Sequence, residues 1–301
     1  MEATAVTVRV PATSANVGTG FDCLGLALDL FASITVTFSE DDQPPPKDVG
    51  EKMVLSAARA AYQRLGRAAP PGLAAEYTVA IPLGRGLGAS AVARVAGVLA
   101  VNEREGHQLS EDDCLAIASE LEGHADNACP ALFGGVQVCV RAENGYAHVR
   151  CRYPGELQIA VLIPDHSMPT KEARRLLPES YSRADAVHTS GRLGLLVAAL
   201  AAGRTELLDE ATQDRFHQPQ RAALFPPLYD IFAAAKGAGA YAAWLSGAGS
   251  SVAAFCSESR GRAAAAAMLT ALEGAGMSGR TLVTHIAPKG AEVAKVELVS
   301  L

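Results

Sequence analysis

Residues Ile81 to Val101 read "IPLGRGLGASAVARVAGVLAV": glycines at 84, 86 and 88, then an apolar stretch. From Leu87 to Val101 that stretch is apolar nearly all round apart from Ser90 and Arg94. This predicts an interior helix, starting near Leu87, whose N-terminus faces something other than bulk water. The three glycines let the backbone turn its N–H groups inward and approach a ligand closely, and the helix adds its positive end. Such a loop suits a polyphosphate; the alternative is a flexible turn in front of a buried helix. The lysine-bearing P-loop is excluded, because no Gly-Lys-Ser/Thr triplet follows. Ser90, in the first helical turn, is placed to cap the helix or to ligate a cation.

A second constraint lies at the end of the next helix. Ser110 and Asp113 form a capping pair that predicts a helix stopping at Gly123. Glu120 and Glu122 then fall in its last turn, where the macrodipole disfavours negative charge by about 0.3–1 kcal/mol each. They are two positions apart, roughly 200° around the axis, so at most one points at a given site. A magnesium ion bridging phosphates, held by one glutamate and a serine hydroxyl, would supply the missing positive charge. Solvated glutamates at a frayed helix end are the alternative. His124, Asp126 and Asn127 follow at once and make a polar knot beside apolar strands.

Around these segments the chain mixes strands and helices. Val6–Val10 and Ser33–Ser39 alternate as strands, with the turn-rich "PATSANVGTGFDCLG" between them. "DDQPPPKD", residues 41–48, reads as an exposed connection. Glu51–Leu65 is helical in pattern and Tyr77–Ile81 a short strand. "GGVQVCV" leads into a hairpin around "AENGYAHV", and a new strand starts behind the Pro-Gly turn at 154–155. The second half places helices at Thr170–Leu177, Ser190–Ala202, Thr205–Phe216 and Leu228–Gly237, with strands near Tyr241–Leu245, Ser251–Cys256 and Arg280–Ile286. Hairpin-like strand pairs among long helices predict an α+β fold. A length of 301 residues suits two domains, divided softly near Pro154 into 1–154 and 155–301.

Composition removes other classes. The net charge of −6 lacks the basic footprint that nucleic acid demands. No apolar run approaches the ~20 residues of a membrane helix, and no basic-then-apolar leader opens the chain. A cytoplasmic protein with neither nucleic acid nor membrane as partner is expected. The six cysteines, Cys23, Cys114, Cys129, Cys139, Cys151 and Cys256, are scattered without a metal spacing and read as free thiols.

Six ordered segments share one likeness. "VPATSANVGTGFDCLGLAL", "PLGRGLGASA", "LEGHADNACPALFGG", "PTKEARRLLP", "DRFHQPQR" and "LSGAGSS" resemble the GHMP small-molecule kinases, specifically their homoserine kinase branch, over most of the chain. The resemblance implies a ribosomal protein S5 domain 2-like N-terminal domain, a ferredoxin-like C-terminal domain and an active site between them. It implies transfer of the ATP γ-phosphoryl group to the hydroxyl of L-homoserine, a step toward threonine, with Mg2+. Pro82, Leu83, Gly84, Arg85, Gly86, Leu87, Gly88, Ala89 and Ser90 would wrap the phosphates, with Ser90 and Glu122 as magnesium ligands. Asn16, Asp22, His124 and Asn127 match positions that contact the amino acid, and Arg174 and Arg221 those that hold its carboxylate. Asn16, Asp22, Ser90, Glu122 and Arg174 are the implied catalytic set, and a homodimer is common among similar proteins.

Elementary chemistry agrees with those roles. A zwitterionic amino alcohol needs an anion for its ammonium and an arginine fork for its carboxylate. In "TKEARRLLP" the apolar stripe Ala173, Leu176 and Leu177 leaves Arg174 to border a cleft and Arg175 to meet water. Between Arg215 and Arg221 the residues themselves do not choose; the family pattern favours Arg221. None of the six lysines falls in the N-terminal motifs, so catalysis without a dedicated base is expected. Ala89 replaces a common serine, "GTGFD" lacks a common proline, and Gln220 replaces a common aromatic. Gln220 adjoins the carboxylate arginine, which keeps threonine or another amino alcohol as alternative substrates.

Overall fold

The computed structural model describes residues 2–41, 43–79 and 81–300, with Glu2, Val79 and Ser300 described by their backbone alone. In β1 (Glu2–Asn16), Val6, Val8 and Val10 are fully buried while Arg9 is exposed, the period of two that lays one face on a core. β2 (Gly20–Ser39) repeats this with Ile34, Val36 and Phe38. The segment between the two expected strands is therefore strand as well, and the turn shrinks to Val17–Thr19. Asn16, Val17 and Gly18 all adopt positive φ there, a reversal too tight for the broad turn that the glycines and proline suggest.

α1 (Val49–Arg64) follows the exposed connection, of which Asp42 lies outside the described residues. β3 (Gly72–Val79) pairs with Ser33–Ser39 of β2, upstream of the expected Tyr77–Ile81. Ala80 is outside the described residues, and from Ile81 the chain leaves the sheet for the glycine loop. α2 (Ala89–Arg104) starts two residues later than the apolar run suggests. It is buried on most of its circumference, lying between the sheet and α1. α3 (Glu111–Glu122) has the full capping box, Ser110 accepting from Asp113 N while Asp113 reaches back, and ends on Gly123. A short α4 (Ala128–Phe133) precedes the hairpin β4 (Val136–Ala142) and β5 (Gly145–Cys151).

β6 (Gln158–Pro164) opens a second sheet. Ile159, Val161 and Ile163 join the first core, and Ala160 and Leu162 a second one, so an unbroken apolar run fits a strand covered on both faces. α5 (Thr170–Arg175) is shorter than expected, and Leu176 just beyond it is 38% exposed instead of joining Ala173 inside. α6 (Arg183–Ala202) begins seven residues before the expected Ser190, because Ser182 caps it by accepting from Asp185 N. The helix expected over Thr205–Phe216 breaks after α7 (Leu208–Ala211). The Asp214 carboxylate there accepts from the amides of Phe216, His217 and Gln218, all at 2.8 Å, and bends the chain into α8 (Gln218–Arg221). α9 (Leu228–Gly237), β7 (Ala242–Leu245), β8 (Val252–Cys256), α10 (Gly261–Gly274), β9 (Gly279–His285) and β10 (Glu292–Ser300) complete the chain.

The second sheet runs β7-β8-β6-β9, all antiparallel, with α9 and α10 packed on it. The first runs β10-β1-β2-β4-β5, with β3 also on β2. β10 has no counterpart among the expected elements; its alternating "EVAKVELVS" returns from the end of the chain to pair with β1, Val296 facing Val6. No helix of the described residues is long and apolar enough to cross a membrane. The six cysteines are free, all buried except Cys23.

Candidate active site

The glycine loop is held by its carbonyl groups. Gly84 O accepts from Met168 N (3.1 Å) and Ser167 Oγ (3.2 Å), Arg85 O from Ser251 N (3.1 Å), Gly86 O from Ser246 Oγ (2.6 Å) and Leu87 O from Thr13 N (3.1 Å). Because a trans peptide is planar, an oxygen tied to the scaffold sends the next residue's N–H the opposite way. The amides of Arg85, Gly86, Leu87 and Gly88 are set in this manner, and from Gly84 to Gly88 none donates to another residue among the described residues. Glycine is required because φ is +67°, +72° and +69° at 84, 86 and 88. The result is a nest of free donors at the N-terminus of α2, in a cleft of about 530 Å³. Pro82, Leu83, Ala89 and Ser90 line it too, whereas Arg85 turns its side chain out to donate to Asp165 O (2.6 Å).

At the edge of the nest Ser90 Oγ donates to Glu122 Oε2 (3.0 Å), and Arg94 pairs with the other carboxylate oxygen. Glu122 points into the cleft with its side chain 7% exposed. Glu120 points away, 54% exposed, with Arg64 at 3.7 Å. The acidic helix end therefore has its compensating charges from two arginines, and the missing-charge argument for a metal does not hold. What remains in its favour is a hydroxyl and a carboxylate side by side beside the anion nest, an oxygen donor pair of the kind magnesium takes.

The polar knot forms the middle of the cleft. His124 Nδ1 and Asp126 are hydrogen-bonded; Thr13 Oγ1 donates to Asn127 Oδ1 (2.7 Å), whose amide reaches Asp126 Oδ1 (3.3 Å). Burial disfavours imidazolium at His124, yet Asp126, Glu122 and Asp22 outweigh it and raise its pKa. Asp22, His124 and Asp126 offer ligand atoms within 4.8 Å of one another. A metal there is opposed by Arg174, whose two nitrogens donate to both oxygens of Asp22 at 2.8 Å. Asp126, 2% exposed, is a buried carboxylate held by His124 and Asn127, with no guanidinium partner among the described residues. It was visible in "HADN" but lies outside the family-matched set. Asn16 carries Asp22: its Oδ1 accepts from Asp22 N (3.0 Å), and its Nδ2 donates to Gly247 O (2.9 Å). Both residues sit at positive φ, backbone strain of the kind that collects at functional sites.

The far wall belongs to Arg221, 1% exposed. Its Nη1 donates to Gly247 O and to His217 Nδ1, each at 3.0 Å, and His217 Nε2 in turn meets Gly18 O at 2.7 Å. A carbonyl and a guanidinium on either side leave one tautomer, neutral with the proton on Nε2. Burial pushes the His217 pKa down to about 4, in keeping with that state. Burial, followed by the nearby Arg174, also lowers Arg221 to about 10, and its buried Nε finds no acceptor among the described residues. A buried cation with an orphaned donor suits a carboxylate ligand. Phe21, which the sequence patterns did not single out, lies 5.5 Å from Arg174 and 5.4 Å from Arg221, holding both by cation–π contact. Arg215 is instead an exposed partner of Asp185 (3.3 Å), and Gln220 does not line the cleft.

Comparison with known proteins identifies the family. Residues 52–135 match the family described as GHMP kinases N terminal domain, and residues 196–274 that described as GHMP kinases C terminal. The homoserine kinase of Deinococcus radiodurans is 44% identical over 257 residues, 83% of each chain. That of Synechocystis sp. is 38% identical over 96% of this chain and 98% of its own. The crystal structure of homoserine kinase from Cytophaga hutchinsonii superposes with a TM-score of 0.86 at 31% identity, covering 96% of this chain and 97% of that one. Mevalonate diphosphate decarboxylase from Staphylococcus aureus shares the fold, with a TM-score of 0.68 at 15% identity over 97% and 98% of the two chains.

Proposed function

The chain belongs to the homoserine kinases of the GHMP kinase family, with its two-domain fold, and we propose that the cleft transfers the ATP γ-phosphoryl group to the side-chain hydroxyl of L-homoserine. The observation that carries the reading is one cleft with loop amides at one end and Arg221 at the other, the amides and the buried Nε of Arg221 all lacking an acceptor among the described residues. The amides of Arg85 to Gly88 receive phosphate oxygens. Arg221 takes the substrate carboxylate, with Arg174 beside it, and Asp126 with Asp22 takes the ammonium. His124 and Asn127 border the space left for the hydroxyl. Ser90 and Glu122 would hold a magnesium ion, which when bound shields the phosphate charge as it shifts toward ADP. Strand membership supports a division near Pro154, with β1–β5 and β10 in one sheet and β6–β9 in the other, while one apolar core draws on both parts.

Phosphoryl transfer leaves the protein chiefly positioning and charge stabilisation. The substrate hydroxyl oxygen forms its bond to Pγ as the bond from Pγ to the ADP oxygen breaks. Asp22 is clamped by two charge-assisted hydrogen bonds from Arg174 and is a poor proton acceptor. In this reading the hydroxyl proton passes to an oxygen of the transferring group, and the product is O-phospho-L-homoserine, on the route to threonine. ADP release measured with homoserine, threonine, serine, shikimate and mevalonate, each with and without magnesium, tests the reading. Turnover with homoserine that depends on magnesium is expected, and preference for another acceptor refutes the assignment. Asp22→Asn should weaken homoserine binding; loss of the chemical step at unchanged homoserine affinity would make Asp22 the base after all.

A further inference from the structure

We propose that Arg94 is a resident cation of the phosphate site: it shares Glu122 with a bound divalent ion and so weakens the hold on that ion, while its open donors take nucleotide phosphate oxygens directly. The inference deepens the nucleotide reading of the cleft and rests on it. Between Ala89 and Asn102 of α2, Arg94 is the only charged residue. It stands one helical turn after Ser90, so the two share a helix face, and both line the cleft. Both also end on one carboxylate: Ser90 Oγ donates to Glu122 Oε2 (3.0 Å) and Arg94 Nη1 donates to Glu122 Oε1. The Arg94 and Glu122 side chains are 17% and 7% exposed, so the pair is largely removed from water.

Helical side chains lean toward the N-terminus of their own helix, which carries a long arginine back over the preceding turn. The shared carboxylate shows the outcome: the guanidinium stands level with the Ser90 hydroxyl, at the end of α2 where the loop amides open. A guanidinium is rich in N–H donors, and here Nη1 alone is engaged; the other nitrogens have no hydrogen-bond partner among the described residues. Arg94 lines the cleft, so a polyphosphate bound in the nest is the anion those donors can meet, and a planar fork suits phosphate oxygens. A divalent ion meets a site already half satisfied. Ser90 keeps its lone pairs, since its proton points at Glu122, but the charge of Glu122 is balanced by the guanidinium. Two cations on one carboxylate repel each other. Arg94 therefore lowers the affinity for the ion and raises that for the bare nucleotide.

ADP titration calorimetry, in EDTA and over a series of Mg2+ concentrations, compares the wild type with Arg94→Gln, Arg94→Met and Arg64→Met, with thermal unfolding alongside. Glutamine keeps a donor for Glu122 without the charge, so Arg94→Gln carries the test if Arg94→Met does not fold. Both Arg94 variants should bind ADP in EDTA about ten-fold more weakly. The Mg2+ concentration that gives half of the magnesium-dependent gain in ADP affinity should fall by about three- to ten-fold, a change that loss of a merely structural ion pair would not produce. Arg64→Met, which removes the arginine beside Glu120, should alter neither quantity by more than about two-fold. ADP affinity in EDTA within about two-fold of wild type in the folded Arg94 variants would overturn the role. So would a magnesium gain that is absent, unmoved or shifted upward, or the same changes in Arg64→Met. Wild-type protein that binds ADP only with magnesium would overturn it too, whereas wild-type protein that binds no ADP in either condition would overturn the nucleotide reading.

Discussion

Replacing Gly86 by alanine separates a built phosphate cradle from a merely flexible turn, provided Gly84 and Gly66 are replaced alongside it. All three have nearly the same φ, +72°, +67° and +66°, so the left-handed backbone cost of roughly 1 kcal/mol is common to the series. Their surroundings differ. A Cβ on Gly66 meets nothing within 4 Å; on Gly84 it meets Ser167 Oγ at 2.5 Å, a hydroxyl that can rotate away; on Gly86 it meets the backbone oxygen of Ser246 at 2.0 Å. Rotation of Ser167 loses one 3.2 Å hydrogen bond to Gly84 O. At Gly86 the loop itself must retreat by roughly 1 Å, giving up the bonds from Ser246 Oγ and Ser251 N. At about 1 kcal/mol per bond the three variants lose about 1, 2 and 3 kcal/mol. With about 0.6 kcal/mol per degree for a chain of this length, the expected falls in Tm are about 2, 3 and 5 °C. ADP release should be unchanged in Gly66→Ala and down about ten-fold in Gly84→Ala. In Gly86→Ala it should fall by about a hundred-fold, the scale of a 1 Å misplacement. If Gly86→Ala kept the kcat/KM for ATP of Gly66→Ala, the loop would be no cradle.

Arg221→Met should raise the homoserine KM by about ten- to a hundred-fold and spare the KM for ATP, whereas Arg215→Met should change neither measurably in the same assay. Glu122→Gln should shift the magnesium concentration for half-maximal turnover upward, and an unshifted titration would remove Glu122 from the ligand set. His217 sets a pH dependence of stability: it takes up a proton near 6.5 when unfolded and near 4 when folded. The stability that its neutral form provides is thus complete above about pH 6.5 and lost as the pH falls toward 4. His217→Gln keeps a donor for Gly18 O and an acceptor for Arg221 but no titration there. Its Tm should fall less than the wild type's between about pH 7 and 4.5, and parallel curves would refute the role.

Features written in neighbouring residues were legible without the fold. The glycine loop, the all-apolar helix behind it and the capping box at Ser110 follow from spacing alone, since each is satisfied within one or two helical turns. So does the Asn144-Gly145 hairpin, where a left-handed position calls for glycine. The order of the motifs likewise determined the family and the reaction class. Only the tertiary structure decided which charges meet. Arg174 reaches Asp22 across 152 positions, Arg94 takes the charge of Glu122 that pointed to a metal, and Arg221 is chosen over Arg215 by burial. It also decided that β10 returns to β1. A partner for a buried charge or proton is selected by which surfaces pack together, and no periodicity along the chain encodes that choice.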